Sequence, residues 1–369
     1  MPQSRLFTPL KVRNLTLDNR IVIAPMCQYS AVDGCMNDWH QMHLGQLAQS
    51  GAALLTIEAT AVLPEARISY GDVGLYDDTT QAAMGRVIDS IRRWSDMPVA
   101  VQLNHAGRKA STQKPWDGGA QIAPGQPNGW PTVGPSAVAF RDDYVPPAAL
   151  DKEGLRRIRD GFAAAARRAA DLGIDVIQIH AAHGYLLHQF MSPVSNRRTD
   201  EYGGSLDNRA RFPLEVFDAV RAAFPHDRAI SVRISGTDWV PGGFTIEEAQ
   251  AISTMFEAHG ADAIHVSSGG SHPDQQIPVG PGYQVPLARA VKSVVKIPVV
   301  AVGLITDPLH AEAIIGNGDA DLVALARTVL YDPRWPWHAA AALGAQVKAA
   351  NQYLRCQPSL YKELFQSPR

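Results

Sequence analysis

Short apolar runs rich in β-branched residues alternate with longer amphipathic stretches along most of the chain. Runs of this length predict buried strands, and the stretches between them predict helices. The clearest helices span residues 151–173 and 245–260, and each ends at a glycine, as helices commonly do. The second begins at Thr245 with Glu248 three residues later, the pattern of a capping box. The eight predicted strands cover residues 19–26, 52–59, 98–104, 175–181, 229–235, 262–268, 297–303 and 321–327.

Eight strands that alternate with helices over 369 residues favour an α/β fold of the (β/α)₈ TIM-barrel type over a doubly wound open sheet. We therefore expect one domain over residues 1–369. Two stretches are additional to the strands and helices of a minimal barrel. Residues 113–147 are rich in Pro and Gly and predict a loop or hairpin excursion after the third strand, and residues 345–369 predict a C-terminal extension.

Polar residues share one face of four predicted strands, because side chains alternate between the two faces of a strand. Those residues are Gln102 and Asn104, Gln178 and His180, Ser231, Arg233 and Ser235, and His265 and Ser267. The inside of such a barrel is usually filled by Val, Ile and Leu. An internal polar network would explain the pattern. A large polar ligand at the carboxyl ends of the strands explains it better, since a buried guanidinium needs an acceptor.

Composition and charge exclude several classes of protein. Lys and Arg total 34 and Asp and Glu 36, with no basic stripe, so neither nucleic acid nor a membrane is an expected partner. The first twenty residues lack the apolar core of a secretory signal, and no apolar stretch is long enough to span a bilayer. Three cysteines cannot build a disulfide framework. We expect a soluble cytoplasmic protein that acts on a small molecule.

The last two predicted strands carry features of a phosphate site. Gly303 follows the seventh strand and Arg327 ends the eighth, which is where barrels commonly bind phosphate. A glycine lets backbone N–H groups approach an anion, and an arginine can hold two of its oxygens. The pair Gly316 and Gly318 lacks the third glycine of a dinucleotide fingerprint, so a Rossmann site is not expected.

Two motifs resemble the old yellow enzyme family of FMN-dependent ene-reductases. They are "PMCQYS" at 25–30, similar to the thermophilic-like branch, and "HAAHGYLLHQFMSPVSNRRTDEYGGSLDNRARF" at 180–212. The resemblance follows the strand order along the whole chain. It implies FMN bound across the barrel mouth and NADPH, or NADH, as reductant. It also implies ping-pong hydride transfer through flavin N5 to activated C=C bonds of enones and maleimides, with nitro compounds and nitrate esters as further substrates.

The resemblance also implies roles for individual residues. His180 and His183 would present two ring N–H donors to one substrate oxygen, and Tyr185 would supply the proton. Cys27 would lie at the flavin edge with a graded effect on its potential, and Tyr29 would line the substrate pocket. The residues expected to hold FMN are Pro25, Met26, Cys27, Ala59, Gln102, Arg233, Gly303, Ala326 and Arg327.

The segment "NQYLRCQP" at 351–358 resembles one in which an arginine enters a neighbouring subunit's site. That arginine corresponds to Arg355, so a substrate-binding role for it and a homodimer or homotetramer are expected.

Two other functions stay open at the level of sequence. A metal-dependent lyase or hydrolase could use His180 and His183 as ligands, and His40 and His43 repeat their spacing. No Asp or Glu completes a known ligand pattern, so no metal is expected, and the second histidine pair suits helix surface or packing positions. A binding module without activity is the alternative that is not an enzyme. His188 is expected to be structural.

Overall fold

A closed barrel of eight parallel strands forms the centre of the protein. The computed structural model describes residues 4–367. Each strand is hydrogen-bonded to the next one along the chain, and the eighth pairs with the first, which confirms the predicted TIM barrel. The strands are β1 (Ile21–Ile23), β2 (Leu54–Ala61), β3 (Val99–Asn104), β4 (Val176–Ala181), β5 (Ala229–Ser235), β6 (Ala263–Ser267), β7 (Val299–Ala301) and β8 (Leu322–Leu325).

Helices follow the strands and surround the barrel. They are α1 (Asp38–Leu47), α2 (Asp78–Arg92), α3 (Lys152–Asp171), α4 (Leu186–Met191), α5 (Leu206–Ala223), α6 (Ile246–Ala258), α7 (Val285–Lys292), α8 (Pro308–Gly316), α9 (Arg327–Tyr331) and α10 (Trp335–Leu343). The capping box of Thr245 and Glu248 is present at α6. Gly173 and Gly260 follow α3 and α6 in the left-handed region, with φ of 69° and 97°.

The main apolar core lies between the barrel and its helices. The outward-facing Ile230, Val232 and Ile234 of β5 are fully buried there, together with Phe162 of α3. Burying a side chain of this size stabilises the fold by about 1.5–3 kcal/mol. The alternation predicted from the sequence is therefore the observed one. The face of β5 opposite these isoleucines and valine points into the barrel.

The inside of the barrel is apolar at its amino end. An N-terminal hairpin pairs Leu10–Val12 with Leu15–Leu17, and Val12 and Leu17 pack on a second apolar cluster inside the strand starts. That cluster contains Val22, Leu54, Ala100, Val176, Ala229, Val300 and Leu322. Because this end is filled with apolar side chains, space for a polar ligand remains only toward the carboxyl ends of the strands.

Two segments lie outside the regular barrel. Residues 113–147 are largely irregular, with one short helical turn at Pro115–Asp117 and a two-residue strand at Val133–Gly134. The C-terminal extension pairs Val347–Lys348 with Phe365–Gln366. Among residues 4–367, no helix combines the length and the apolar character needed to cross a membrane.

Candidate active site

The polar residues predicted on the inner face meet at the carboxyl end of the barrel. Strand register places Gln102 beside Gln178, and His180 beside Arg233, which in turn lies beside His265. Gln102 Nε2 donates to Gln178 Oε1 at 2.8 Å, and Gln178 Nε2 lies 3.2 Å from His265 Nδ1. The internal network considered from the sequence is therefore present.

That network leaves several buried polar atoms without a partner. Arg233 is 93% buried, since only 7% of its surface is exposed, and its Nε has no hydrogen-bond partner among the described residues. Asn104 Oδ1 and His265 Nε2 are also buried without a hydrogen-bond partner among the described residues. Burial lowers the pKa of Arg233 to about 10, which leaves the guanidinium charged at neutral pH. An unpaired buried cation is costly, so this position calls for a ligand rich in acceptor atoms.

The histidine pair lies on the turn that leaves β4. The rings of His180 and His183 are 5.1 Å apart between centroids and nearly perpendicular, and His180 Nε2 lies 3.4 Å from His183 Nδ1. The backbone N–H of Ala182 donates to His180 Nδ1, so the proton of a neutral His180 ring must sit on Nε2. His183 Nε2 lies 2.6 Å from Ser267 Oγ. The two rings therefore lie side by side at the carboxyl end of β4.

Both imidazoles are neutral at physiological pH. Burial is the main cause that lowers the pKa of His180 and of His183 well below the ordinary value, and the charge of Arg233 lowers both further. A neutral ring can donate from one nitrogen and accept at the other, whereas a protonated ring can only donate.

Tyr185 stands next to the pair. Its ring centroid is 4.9 Å from that of His180, at an interplanar angle of 81°. Burial is the main cause that raises the pKa of the Tyr185 phenol well above 10, so the group carries its proton at neutral pH. The ring also packs on a small apolar cluster that includes Ala59 and Ala106 and is joined by Cys27.

The residues after β1 complete one wall. Pro25, Met26 and Cys27 are partly buried in the loop that follows the strand. The backbone N–H of Gln28 donates to the buried carboxyl of Glu58 at 2.9 Å, which anchors this loop on β2. Burial raises the pKa of the Cys27 thiol, so it is protonated at neutral pH.

Tyr29 follows in the left-handed conformation, with φ of 49°. Glu58 stands at an irregularity in the pairing of β2 and β3, and Ala59 follows it, buried.

The residues predicted to bind phosphate lie at the carboxyl end of the barrel, but one predicted strand boundary differs from the observed one. Gly303 follows β7 with φ of 125°, and a Cβ there would lie 2.9 Å from Gln284 Nε2, so the position suits glycine. The eighth strand ends at Leu325 and not at Arg327, which corrects the predicted boundary. Ala326 leaves the strand with φ −114° and ψ −94°, and Arg327 is the exposed first residue of α9.

Arg355 does not join this site within one chain. It is exposed on a 3₁₀ turn, Asn351–Cys356, in the C-terminal extension. Lys348 ties that extension to Asp18 and Asp96, which precede β1 and β3 at the amino end of the barrel. A contribution from Arg355 would therefore have to reach the site of another subunit.

Three further histidines serve the scaffold or stay apart from the pair. His40 is fully buried, and its Nδ1 accepts from the N–H of Asn37 at the start of α1. Of the two positions expected for His40, packing and helix surface, the structure shows packing. His43 is partly buried on the same helix. His188 is also fully buried, 3.2 Å from Asp238.

Sequence reasoning missed Lys109. Its Nζ donates to the carbonyls of His183 at 2.9 Å and Gly270 at 2.8 Å, and lies 5.0 Å from the Tyr185 ring centroid. Burial, reinforced by the charge of Arg108, lowers its pKa to about 7. Lys109 lies on a short 3₁₀ turn beyond β3, where strand alternation no longer indicates direction, so no pattern marked it.

The site fits FMN in its chemistry. Gln102 donates to Gln178 and keeps its own Oε1 as an acceptor, while Arg233 and Asn104 offer unpartnered atoms nearby. A pyrimidine edge, which carries both donors and acceptors, matches such a set. Fold and site together suit the class of oxidoreductases that hold a flavin at the carboxyl end of a barrel.

Comparison with known proteins identifies the family. The model of the NADH:flavin oxidoreductase / NADH oxidase family matches residues 5–346, and the chain belongs to this family. An NADPH dehydrogenase of Geobacillus thermodenitrificans is 41% identical over 352 residues, covering 95% of this chain and 98% of that protein. NADH:flavin oxidoreductase FG08077 of Gibberella zeae is 43% identical over 366 residues, covering 95% of this chain and 88% of that protein.

Solved structures share the same barrel. Morphinone reductase in complex with tetrahydroNAD is similar with a TM-score of 0.75 at 27% identity, over 99% of this chain and 98% of its own. An old yellow enzyme homologue from Zymomonas mobilis has a TM-score of 0.75 at 24% identity over 94% of each chain, which shows a shared fold.

The predicted resemblance to the old yellow enzyme family is thus confirmed, with FMN as cofactor and NAD(P)H as reductant. The protein is an oxidoreductase, and neither the metal-dependent lyase or hydrolase nor the inactive binding module is supported.

Proposed function

We propose that this protein reduces activated C=C bonds of enones and maleimides at the expense of NAD(P)H, in two successive half-reactions at one site. Nitro compounds and nitrate esters, which also present an oxygen to paired donors, belong to the same proposed range. When bound, FMN would supply the redox chemistry, which is hydride transfer from the nicotinamide to the substrate. The observation that carries the proposal is the neutral pair His180 and His183. His180 Nε2 lies 3.4 Å from His183 Nδ1, and the neighbouring Arg233 has an Nε without a partner among residues 4–367.

The histidine pair binds and polarises the substrate. His180 carries its proton on Nε2, which lies 3.4 Å from His183 Nδ1. A carbonyl oxygen placed beside that gap, within hydrogen-bond reach of both nitrogens, would accept from His180. A second donor from His183 would withdraw further electron density from the conjugated bond. Preorganised donors aimed at a developing negative charge are a major source of catalysis.

Tyr185 supplies the proton to the α-carbon. Its high pKa keeps the proton in place until a stronger base, the enolate-like carbon, develops. The ring contacts that of His180 edge to face, so the proton donor and the oxygen seat are fixed relative to each other.

Other residues would position the flavin and the substrate and tune the redox potential of the flavin. Arg233 places a positive charge under the mouth of the barrel, and Gln102 offers an amide oxygen beside it. Cys27, a thiol at neutral pH, and Tyr29 line the wall after β1. Pro25, Met26, Ala59, Gly303, Ala326 and Arg327 complete the proposed FMN site.

The proposal extends to assembly. A homodimer or homotetramer would allow Arg355 to reach a neighbouring site, because its position near the amino end of its own barrel prevents contact with its own. A small-molecule substrate and a cytoplasmic location fit the near-neutral composition.

The test is a pair of anaerobic half-reactions with the purified, FMN-loaded protein. NADPH should bleach the yellow colour, and an enone such as cyclohexenone should then restore it with formation of the saturated ketone. Bleaching without reoxidation by any enone, maleimide or nitro compound would contradict the proposed substrate class. No bleaching by NADPH or NADH would contradict the reductase function itself.

A further inference from the structure

A buried carboxyl group lies behind the loop that carries Cys27 and Tyr29. It belongs to Glu58 of β2, which is only 3% exposed and stands at the irregularity in the pairing of β2 with β3. Burial raises the pKa of this carboxyl group, and the hydrogen bond from Gln28 opposes that rise. A buried acidic group is costly unless its neighbours compensate it, and the proposed reaction does not use Glu58, so its presence needs another explanation.

Two N–H groups face the carboxyl group of Glu58. The backbone N–H of Gln28 donates to Oε2 at 2.9 Å. His40 Nε2 lies 3.6 Å from Oε1 and has no hydrogen-bond partner among the described residues. The N–H of Asn37 donates to His40 Nδ1, so the proton of the neutral ring lies on Nε2. Asn37 Oδ1 is equally close to His40 Nδ1 but already accepts from the N–H of Trp39. Both neighbours of Glu58 are therefore donors, which favours the carboxylate over the acid.

The loop after β1 is held from several sides. At the start of α1, Trp39 Nε1 donates to Gln28 Oε1 at 3.1 Å. On the other side, a Cβ added at Gly71 would lie 2.4 Å from the carbonyl oxygen of Tyr29, so the loop after β2 packs closely against this loop. Gln28 is thus held through its side chain by α1 and through its backbone by β2, which leaves the adjacent Cys27 little freedom to move.

The charge of Glu58 also acts on the thiol of Cys27. Burial is the main cause that raises the pKa of this thiol, and the carboxyl groups of Asp72 and Glu58 raise it further. Asp72 is itself buried and accepts from the N–H groups of Ile68 and Ser69. Other ionisable groups near the thiol are Tyr29, Tyr185 and Arg233. The sulfur is therefore held as a thiol in front of two buried carboxyl groups.

We propose that Glu58 is a positioning residue of the active site that acts through Cys27. Its carboxylate fixes the backbone next to Cys27, and its negative charge keeps the sulfur in the thiol form at the edge of the flavin. His40 holds the carboxylate from the side of α1. This proposal rests on the proposed function only for the place of Cys27 beside FMN.

The experiment compares FMN-loaded wild type with Glu58→Gln, Glu58→Asp and the control Glu257→Gln. The carboxyl group of Glu257 also anchors a loop, because it accepts from the N–H groups of Lys296 and Ile297 at 2.7 and 3.0 Å. That loop precedes β7, at the amino end of the barrel, so Glu257 is a matched control far from the flavin. Labelling with iodoacetamide and mass spectrometry of the Cys27 peptide give the alkylation rate as a function of pH. A dye-coupled titration gives the reduction potential of the flavin.

Glu58→Gln should lower the midpoint pH of Cys27 alkylation by about half a unit or more, because a negative charge near the thiol is removed. It should also raise the reduction potential, because a negative charge near the flavin opposes the uptake of electrons. Glu58→Asp keeps the charge and should bring both values back toward wild type, even if the shorter side chain lowers stability. Glu257→Gln should change neither value.

An unchanged midpoint and potential in Glu58→Gln, or equal shifts in Glu257→Gln, would overturn the proposal. Faster alkylation at every pH without a shifted midpoint would show a loosened loop only and would contradict the role of the charge. Wild type alone offers a further test: the nitrogen NMR signals of His40 should show a neutral ring protonated on Nε2, and a proton on Nδ1 would refute the carboxylate. None of these measurements requires an alkene substrate, so they remain decisive even if the proposed substrate class fails.

Discussion

At the scale of single residues, we infer that the hydroxyl of Ser267 sets which nitrogen of His183 carries the proton. Ser267 Oγ lies 2.6 Å from His183 Nε2 and 3.3 Å from Gln284 Oε1, to which it can donate. In that arrangement His183 donates to Ser267 and accepts from His180. Rotation of the hydroxyl toward His183 would move the ring proton to Nδ1 and give the substrate oxygen a second donor.

Ser267→Ala should therefore weaken binding of a phenolic ligand such as p-hydroxybenzaldehyde by about tenfold, because a buried ring nitrogen loses its only donor. Ser267→Thr keeps the hydroxyl and should restore the affinity. Nitrogen NMR of the histidine rings should show His183 protonated at Nδ1 in the ligand complexes of wild type and Ser267→Thr, but not in that of Ser267→Ala. Equal affinity and the same ring signals in Ser267→Ala would refute this role.

Tyr185→Phe separates the two half-reactions. Flavin bleaching by NADPH should survive, since no proton from Tyr185 is needed there, whereas alkene reduction should slow by about 10²–10⁴-fold, as expected for a lost general acid. Stopped-flow rates of both half-reactions measure this. Nitro reduction should suffer less, because water can supply its protons. An unchanged alkene rate would remove Tyr185 from the mechanism.

At the scale of elements, the turn between β4 and α4 is held by three neighbours. The N–H of His183 donates to Ser235 Oγ of β5, and its carbonyl accepts from Lys109. The N–H of Gly184 donates to the ring of His188, whose other nitrogen faces Asp238. Main-chain contacts thus fix the direction of both the histidine pair and Tyr185.

Gly184→Ala tests this turn. Gly184 has φ of 70°, and an added Cβ would lie 2.1 Å from the carbonyl oxygen of Gly270. Gly204 is the matched control, with φ of 83° and nothing within 4 Å of its Cβ position. Gly204→Ala should cost about 1 kcal/mol of stability, from backbone strain alone.

Gly184→Ala should cost at least about 3 kcal/mol and abolish phenol binding, because strain and a backbone clash combine. Denaturant unfolding of both variants measures the difference, and equal costs would show that the turn is not tightly packed.

The strands were predictable to within a few residues because apolar runs and strict alternation leave few arrangements, and the inward position of Arg233 followed from Ile230, Val232 and Ile234 alone. The end of β8 was misplaced because the apolar run continues past Leu325 to Ala326, so no polar residue marks the end of the strand before Arg327, the first residue of α9. Lys109 was unpredictable, since it reaches the site from an irregular turn.

At the scale of the whole molecule, buried ionisable groups set the pH dependence of stability. Burial raises the pKa of Glu58 and takes that of Asp72 to about 6. Burial lowers the pKa of six histidines, which are His40, His43, His105, His180, His183 and His265.

Below about pH 6.5 the unfolded chain takes up histidine protons that the folded protein does not, so folding becomes less favourable as the pH falls. The two carboxyls act in the opposite sense, because the folded state takes up their protons first. The six histidines outweigh these two carboxyls. We expect the free energy of unfolding to fall by on the order of 3 kcal/mol between about pH 6.5 and 5.5. Urea titrations of the FMN-loaded protein measure this, and a flat or rising profile would contradict it.

The central claim is that FMN lies across the carboxyl mouth of the barrel, with the histidine pair above it as the seat for a substrate oxygen. A crystal structure of the FMN-loaded protein with p-hydroxybenzaldehyde tests this claim most directly. The account predicts the phenolic oxygen within hydrogen-bond distance of both His180 and His183, and Arg233 against the flavin. A flavin bound elsewhere, or a ligand that contacts neither imidazole, would contradict it.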